Sequence, residues 1–198
     1  MTDYSDPRPF YDRALVHVRA LMAAVRPDQL GDPTPCADFD VRTLLSHLLA
    51  TVDRARVVGA GEPPFSVPSF VTGVADDGWV DAHREATERM WTVWSDDARL
   101  DAPVEVPWGH VAGRDALWGY VNETVVHAWD LAVATGQDPE ADPDLAEATL
   151  AAARRYLPAG PREGFPFDPA VEPAPDAGPT ERLANWSGRR SRPALVGS

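Results

Sequence analysis

Basic residues are scarce in this chain of 198, and cysteine is almost missing. Lys and Arg number 18 against 31 Asp and Glu, for a formal charge of −13. A nucleic-acid surface needs a basic patch and an anionic membrane face attracts cations, so neither is an expected partner. Cys36 is the one cysteine. That excludes an internal disulfide and suits a reducing compartment. No run approaches the roughly 18 uncharged apolar residues of a membrane helix. The opening MTDYSDPRPFYDR lacks the basic and then apolar regions of a signal peptide. The expected location is the cytoplasm. Period-2 stretches are missing too, which argues against a sheet protein.

What the chain does have is helical spacing. Phe10, Ala14, Val18, Leu21, Met22 and Val25 repeat through about residues 7–25, opened by Asp6-Pro7 and stopped by Arg26-Pro27. Asp40 can cap a second helix carrying Val41, Leu44, Leu45, Leu48, Leu49 and Val52. Residues 59–78 and the stretch DAPVEVPWGHVAG are broken by Gly and Pro and read as loops. Between them a third helix is predicted over Trp79–Trp94. A fourth runs from about Arg114 to Thr135, with Gly136 as a left-handed cap, and DPDLAEATLAAARRYL makes a fifth. Beyond Leu157 the chain turns Pro- and Gly-rich, with TERLANW as a short helical candidate. Phe165, Phe167, Val171, Leu183 and Trp186 make this tail too apolar for a free linker. The predicted fold is all-α: one domain over 1–198, a four-helix bundle with an extra helix and an irregular C-terminal segment, about 158–198, wrapping over it.

The segment VNETVVHAWDLAVATG places Glu123 and His127 four residues apart on the fourth helix, among apolar neighbours. That spacing rotates by about 400° and rises about 6 Å, so the two side chains can converge. A buried carboxylate must be paired, hydrogen-bonded or bound to a cation. A plain Glu–His pair would satisfy it. His47, set in LLSHLLA among core leucines, adds a second reading: bundles project metal ligands inward from facing helices. Two imidazoles and one carboxylate leave a coordination position open, as reactive centres do. On spacing alone the two readings stand side by side, with Cys36 open as a fourth ligand or as a buried structural thiol.

PTPCADFDVRTLLSHLLATVDRA, with ETVVHAWDLAVATGQ and the late ERLANWSGRR, resembles the actinobacterial metal-binding proteins of the DinB-like superfamily, in particular the N-terminal domain of mycothiol-dependent maleylpyruvate isomerase. The likeness spans nearly the whole chain. It implies a four-helix bundle and a divalent metal, zinc ahead of nickel or iron, held by His47, Glu123 and His127, with Asp130 beside it. It also implies thiol chemistry, with mycothiol or a similar low-molecular-weight thiol as co-reactant. The isomerase has a further C-terminal domain contributing to its active site, for which this chain has no room, so maleylpyruvate itself is not the expected substrate.

A cation with that ligand set would lower the pKa of whatever fills the open position. A thiol there becomes a thiolate and a water becomes a hydroxide nucleophile. Three functions follow: a thiol-dependent transferase or isomerase, a non-catalytic metal-binding module, or a metal-dependent hydrolase. Asp130 is expected to accept the distal N–H of His127 or to handle a proton near substrate, with a solvated acid as the plain alternative. Arg189 and Arg190 read as a loose basic end. His83 and His110 read as packing or surface residues, and His17 as solvated. The seven tryptophans read chiefly as core volume, Trp129 as core or interface. Asp138, Glu140, Asp142 and Asp144 lack the glycine and terminal glutamate of a calcium loop and read as helix caps and solvated charge. A small thiol and a small substrate are the expected partners, with a homodimer left open.

Overall fold

A computed structural model describes residues 5–163 and 167–190; Phe165, expected in the packed tail, lies outside them. Helix α1 spans Arg8–Ala23, with Pro7 and Pro9 at its start. The Asp40 side chain accepts a hydrogen bond from the Thr43 amide at 2.7 Å and begins α2, Val41–Ala60. Such a cap satisfies one of the amides that a helix start leaves without a partner. Helix α3 covers Trp79–Trp94, and α5 covers Gly113–Thr135 before Gly136 turns left-handed at φ 71°. Gly136 is where the chain needs a residue without a Cβ penalty, and the helix stops there. Asp142 caps α6, Pro143–Tyr156, and α7 covers Pro179–Trp186.

Helices α1, α3, α2 and α5 pack in that cyclic order, each on its two neighbours. Their apolar faces meet in a core that includes Tyr11, Leu15, Val52, Met90, Trp94, Leu117 and Val125, all at most 1% exposed. Trp129 is core as well. The protein is mostly helical, as the spacing predicted. Helix α6 lies on α5, and α7 lies on both. Glu140 fastens the tail by accepting from the amides of Thr180 and Glu181 at the start of α7. Asp142 and Asp144 pair with Arg13, so the acidic run serves as caps and ion pairs. Among the described residues no helix is long and apolar enough to cross a membrane.

Two details differ from the sequence reading. Part of the stretch read as a loop is an antiparallel hairpin, β1 Pro103–Val106 and β2 Gly109–Ala112, turning at Pro107-Trp108. Val104 and Val106 face inward and alternate with exposed Pro103 and Glu105, but four residues are too short a run to stand out as period 2. A single helical turn, α4 (Ala98–Asp101), precedes it.

Candidate metal centre

Helix α2 carries His47 and α5 carries Glu123 and His127, and the packing of these two helices brings the three together. Nε2 of His47 lies 3.1 Å from Oε1 of Glu123, and Nε2 of His127 lies 3.6 Å from the same oxygen. One ligand atom from each of the three falls within 4.8 Å of the others. The imidazoles meet edge to face, their ring centres 5.0 Å apart, and Phe39 packs against both.

The outer nitrogens decide the chemistry of the inner ones. Nδ1 of His47 sits 3.2 Å from the carbonyl oxygen of Ser69, which can only accept, so this nitrogen carries the proton. Nδ1 of His127 sits 2.9 Å from Oδ2 of Asp130 and donates to it. With both protons on the outside, two imidazole lone pairs and a carboxylate would face one another. A positive charge has to sit among them. A proton can supply it. Burial alone would pull the His127 pKa down, but Asp130 and Glu123 outweigh burial and push it up to about 9. Burial likewise works to raise the Glu123 carboxyl, while His127 and His47 hold it well below the usual carboxylate range. A divalent cation would satisfy all three donors together, and the donor set fits one: two nitrogens and an oxygen with outer partners fixing both rings.

Asp130 is wholly buried, and Arg189 holds it with Nε 2.9 Å from Oδ1 and Nη2 2.9 Å from Oδ2. Arg189 is therefore no loose basic end. It is 8% exposed and closes a chain from guanidinium to carboxylate to imidazole to Glu123. Burial alone would lower the Arg189 pKa, and Asp130 raises it. Arg190 is exposed. Cys36, His127 and Asp130 form a second cluster of potential ligands. There, however, Asp130 already accepts from Arg189 and His127, and burial raises the Cys36 thiol to about 11. His83 is fully buried on α3, His110 is exposed on β2, and neither joins the cluster. His17, expected in solvent, is half-buried.

Two cavities flank the cluster and share His47 and Glu123 as a common wall. The larger, about 560 Å³, is also lined by Cys36, Phe39, His127, Asp168 and Arg189. The smaller, about 250 Å³, lies against Thr51, Arg54, Trp108 and Tyr120. The sequence reading missed Arg54. Its signal was the spacing: His47, Thr51 and Arg54 stand at i, i+4 and i+7, one stripe of α2.

Residues 11–132 match the family model described as mycothiol maleylpyruvate isomerase N-terminal domain. Two uncharacterized proteins from two strains of Mycobacterium tuberculosis are each 33% identical over 192 residues, covering 94% of this chain and 100% of theirs. Among solved structures, mycothiol-dependent maleylpyruvate isomerase is similar with a TM-score of 0.58 and 17% identity, over 79% of this chain and 72% of that one. A histidine-to-alanine mutant of it gives 0.59 and 15% over the same shares. At those identities the solved structures establish a shared fold.

Proposed function

The chain belongs to the mycothiol maleylpyruvate isomerase N-terminal domain family, and from that premise we propose that it is a divalent-metal protein acting with a low-molecular-weight thiol, such as mycothiol, as a transferase or isomerase. The observation that carries this is the convergence of two imidazole Nε2 atoms on one carboxylate oxygen, with both Nδ1 atoms engaged outside. His47, Glu123 and His127 would hold the ion, zinc being the first expectation. When bound, the cation supplies positive charge that favours the thiolate form of a thiol at its open position.

The protein's own groups do the rest. Asp130 keeps the proton of His127 on Nδ1, so that Nε2 stays a lone-pair donor. Arg189 fixes Asp130 through both oxygens, and with 0% exposure that carboxylate orients His127 from behind without facing the cavity. The side chains of His47 and Glu123 are 12% and 18% exposed, so solvent and ligands can reach them from the cavities. A non-catalytic module would enclose its metal in protein. The 560 Å³ cavity, with polar side chains beside the cluster, favours a site that admits a polar thiol.

The test begins with elemental analysis of protein purified without chelators, followed by calorimetric titration with mycothiol. Near-stoichiometric divalent metal is expected. Thiol binding should depend on that metal and weaken when the sulfur is methylated. Absence of metal, or thiol binding indifferent to it, would overturn the proposal.

A further inference from the structure

Arg54 is 8% exposed, yet among the described residues no carboxylate lies within ion-pair distance of it. Its Nε donates to the carbonyl of Pro64 at 3.1 Å, and Nη2 reaches the carbonyl of Pro68 and the hydroxyl of Ser69. These bonds staple the 64–69 loop to α2. They use neutral acceptors only and leave the charge itself without an anion. A buried cation in that state is costly unless something negative joins it.

The space beside it has a form. Arg54 lines the cavity of about 250 Å³, together with Thr51, Phe65, Pro107, Trp108 and Tyr120. Tyr120 is 2% exposed and gives the cavity its ring; its hydroxyl is buried away from the open space and has no hydrogen-bond partner among the described residues. Trp108 and Tyr120 pack on each other as one aromatic wall, their ring centres 6.1 Å apart. Gly119 allows this: a Cβ there would come within 2.5 Å of the Trp108 ring. Phe65 lies at the mouth, 70% exposed, with the Arg54 guanidinium 5.7 Å from its ring centre. His47 and Glu123 form the inner wall.

We propose that this second cavity is a substrate subsite for a small, flat monocarboxylate, its anion met by Arg54 and its apolar body laid against the Trp108–Tyr120 wall. One guanidinium without a counter-ion in contact calls for one negative charge. The flat wall and the limited volume select a planar body of roughly benzoate size. The inference rests on the thiol-dependent reading for its place in the molecule's function: thiol in the larger cavity, a carboxylate-bearing substrate in the smaller, and the shared wall of His47 and Glu123 between them. The binding itself does not depend on metal.

Benzoate, with benzamide as its neutral counterpart, is the probe. Calorimetry or ligand-detected NMR is run on the full chain with and without metal. Benzoate should bind the metal-free protein about tenfold or more tightly than benzamide, the worth of a charge-assisted hydrogen bond. Arg54→Gln should remove that preference, while Arg54→Lys, which keeps the charge, should retain part of it. If loss of the loop staple prevents Arg54→Gln from folding, Arg54→Lys and the benzoate-to-benzamide ratio decide. Equal binding of the two probes, or a preference unchanged in Arg54→Gln, would overturn the subsite. Metal content read in the same samples separates the two failures. A metal-loaded protein that ignores benzoate loses only the subsite, and a metal-free protein that still selects benzoate loses only the metal reading.

Discussion

His83 and His127 are both buried histidines on bundle helices, and their surroundings act on them in opposite directions. His83 is 0% exposed, its Nδ1 is 3.5 Å from the Thr87 hydroxyl and its Nε2 has no partner among the described residues. Burial, and then the charge of Arg19, pull it down to about 3. His127 is 4% exposed, but Asp130 and Glu123 approach its two nitrogens and push it up to about 9. Burial by itself makes a histidine neutral and inert. Carboxylates fixed at both ends make it basic, oriented and ready for a cation.

That contrast breaks most visibly in metal content. His127→Ala or His47→Ala should lower metal affinity more than about 100-fold, beyond the loss typical of an outer partner, while His83→Ala should leave elemental analysis unchanged. Equal losses would mean that burial, not ligation, governs metal retention. Asp130→Asn sharpens the comparison. It keeps an acceptor near Nδ1 but removes the charge, and should weaken metal binding by about 10–100-fold in competition with a chromophoric chelator.

The pH dependence of unfolding should separate the two histidines by sign. The folded-state pKa of His83 lies below its unfolded value of 6.5, so the unfolded chain takes up the proton first. Its contribution is present above about pH 6.5 and is lost as pH falls toward 3. In metal-free protein about 2 kcal/mol should disappear between pH 7 and pH 5, and His83→Gln should flatten that slope. The raised pKa of His127 works the other way: its contribution is complete below about pH 6.5 and is lost as pH rises through about 9. Urea titrations across this range check both. The smallest effect expected is for Asp40→Ala, which should cost about 1 kcal/mol in a thermal melt by removing the α2 cap and leave metal content alone.

How much was legible in the sequence follows from what local spacing encodes. The bundle helices were readable because apolar periodicity and capping residues are local signals, and the Glu123–His127 juxtaposition is one helical turn. The approach of His47 needed the bundle as an intermediate. Arg189 was misread because a Gly-Arg-Arg run looks the same whether solvated or paired, and its partner lies 59 residues away. Arg54 escaped because a single arginine on an amphipathic helix is ordinary; its place on the His47–Thr51 stripe gains meaning only once the cavity beside that stripe is seen. The hairpin was lost to its own brevity.

The Arg189–Asp130 ion pair has a consequence for the order of assembly. As the chain is synthesised, α1, α2, α3 and α5 are all complete long before Arg189 appears. The helices can therefore gather while Asp130 still lacks its guanidinium and the His127 ring is free to swing. A cation held as proposed by His47, Glu123 and His127 would be gripped firmly only once the tail folds back, so it would be selected by the finished protein rather than by the nascent one.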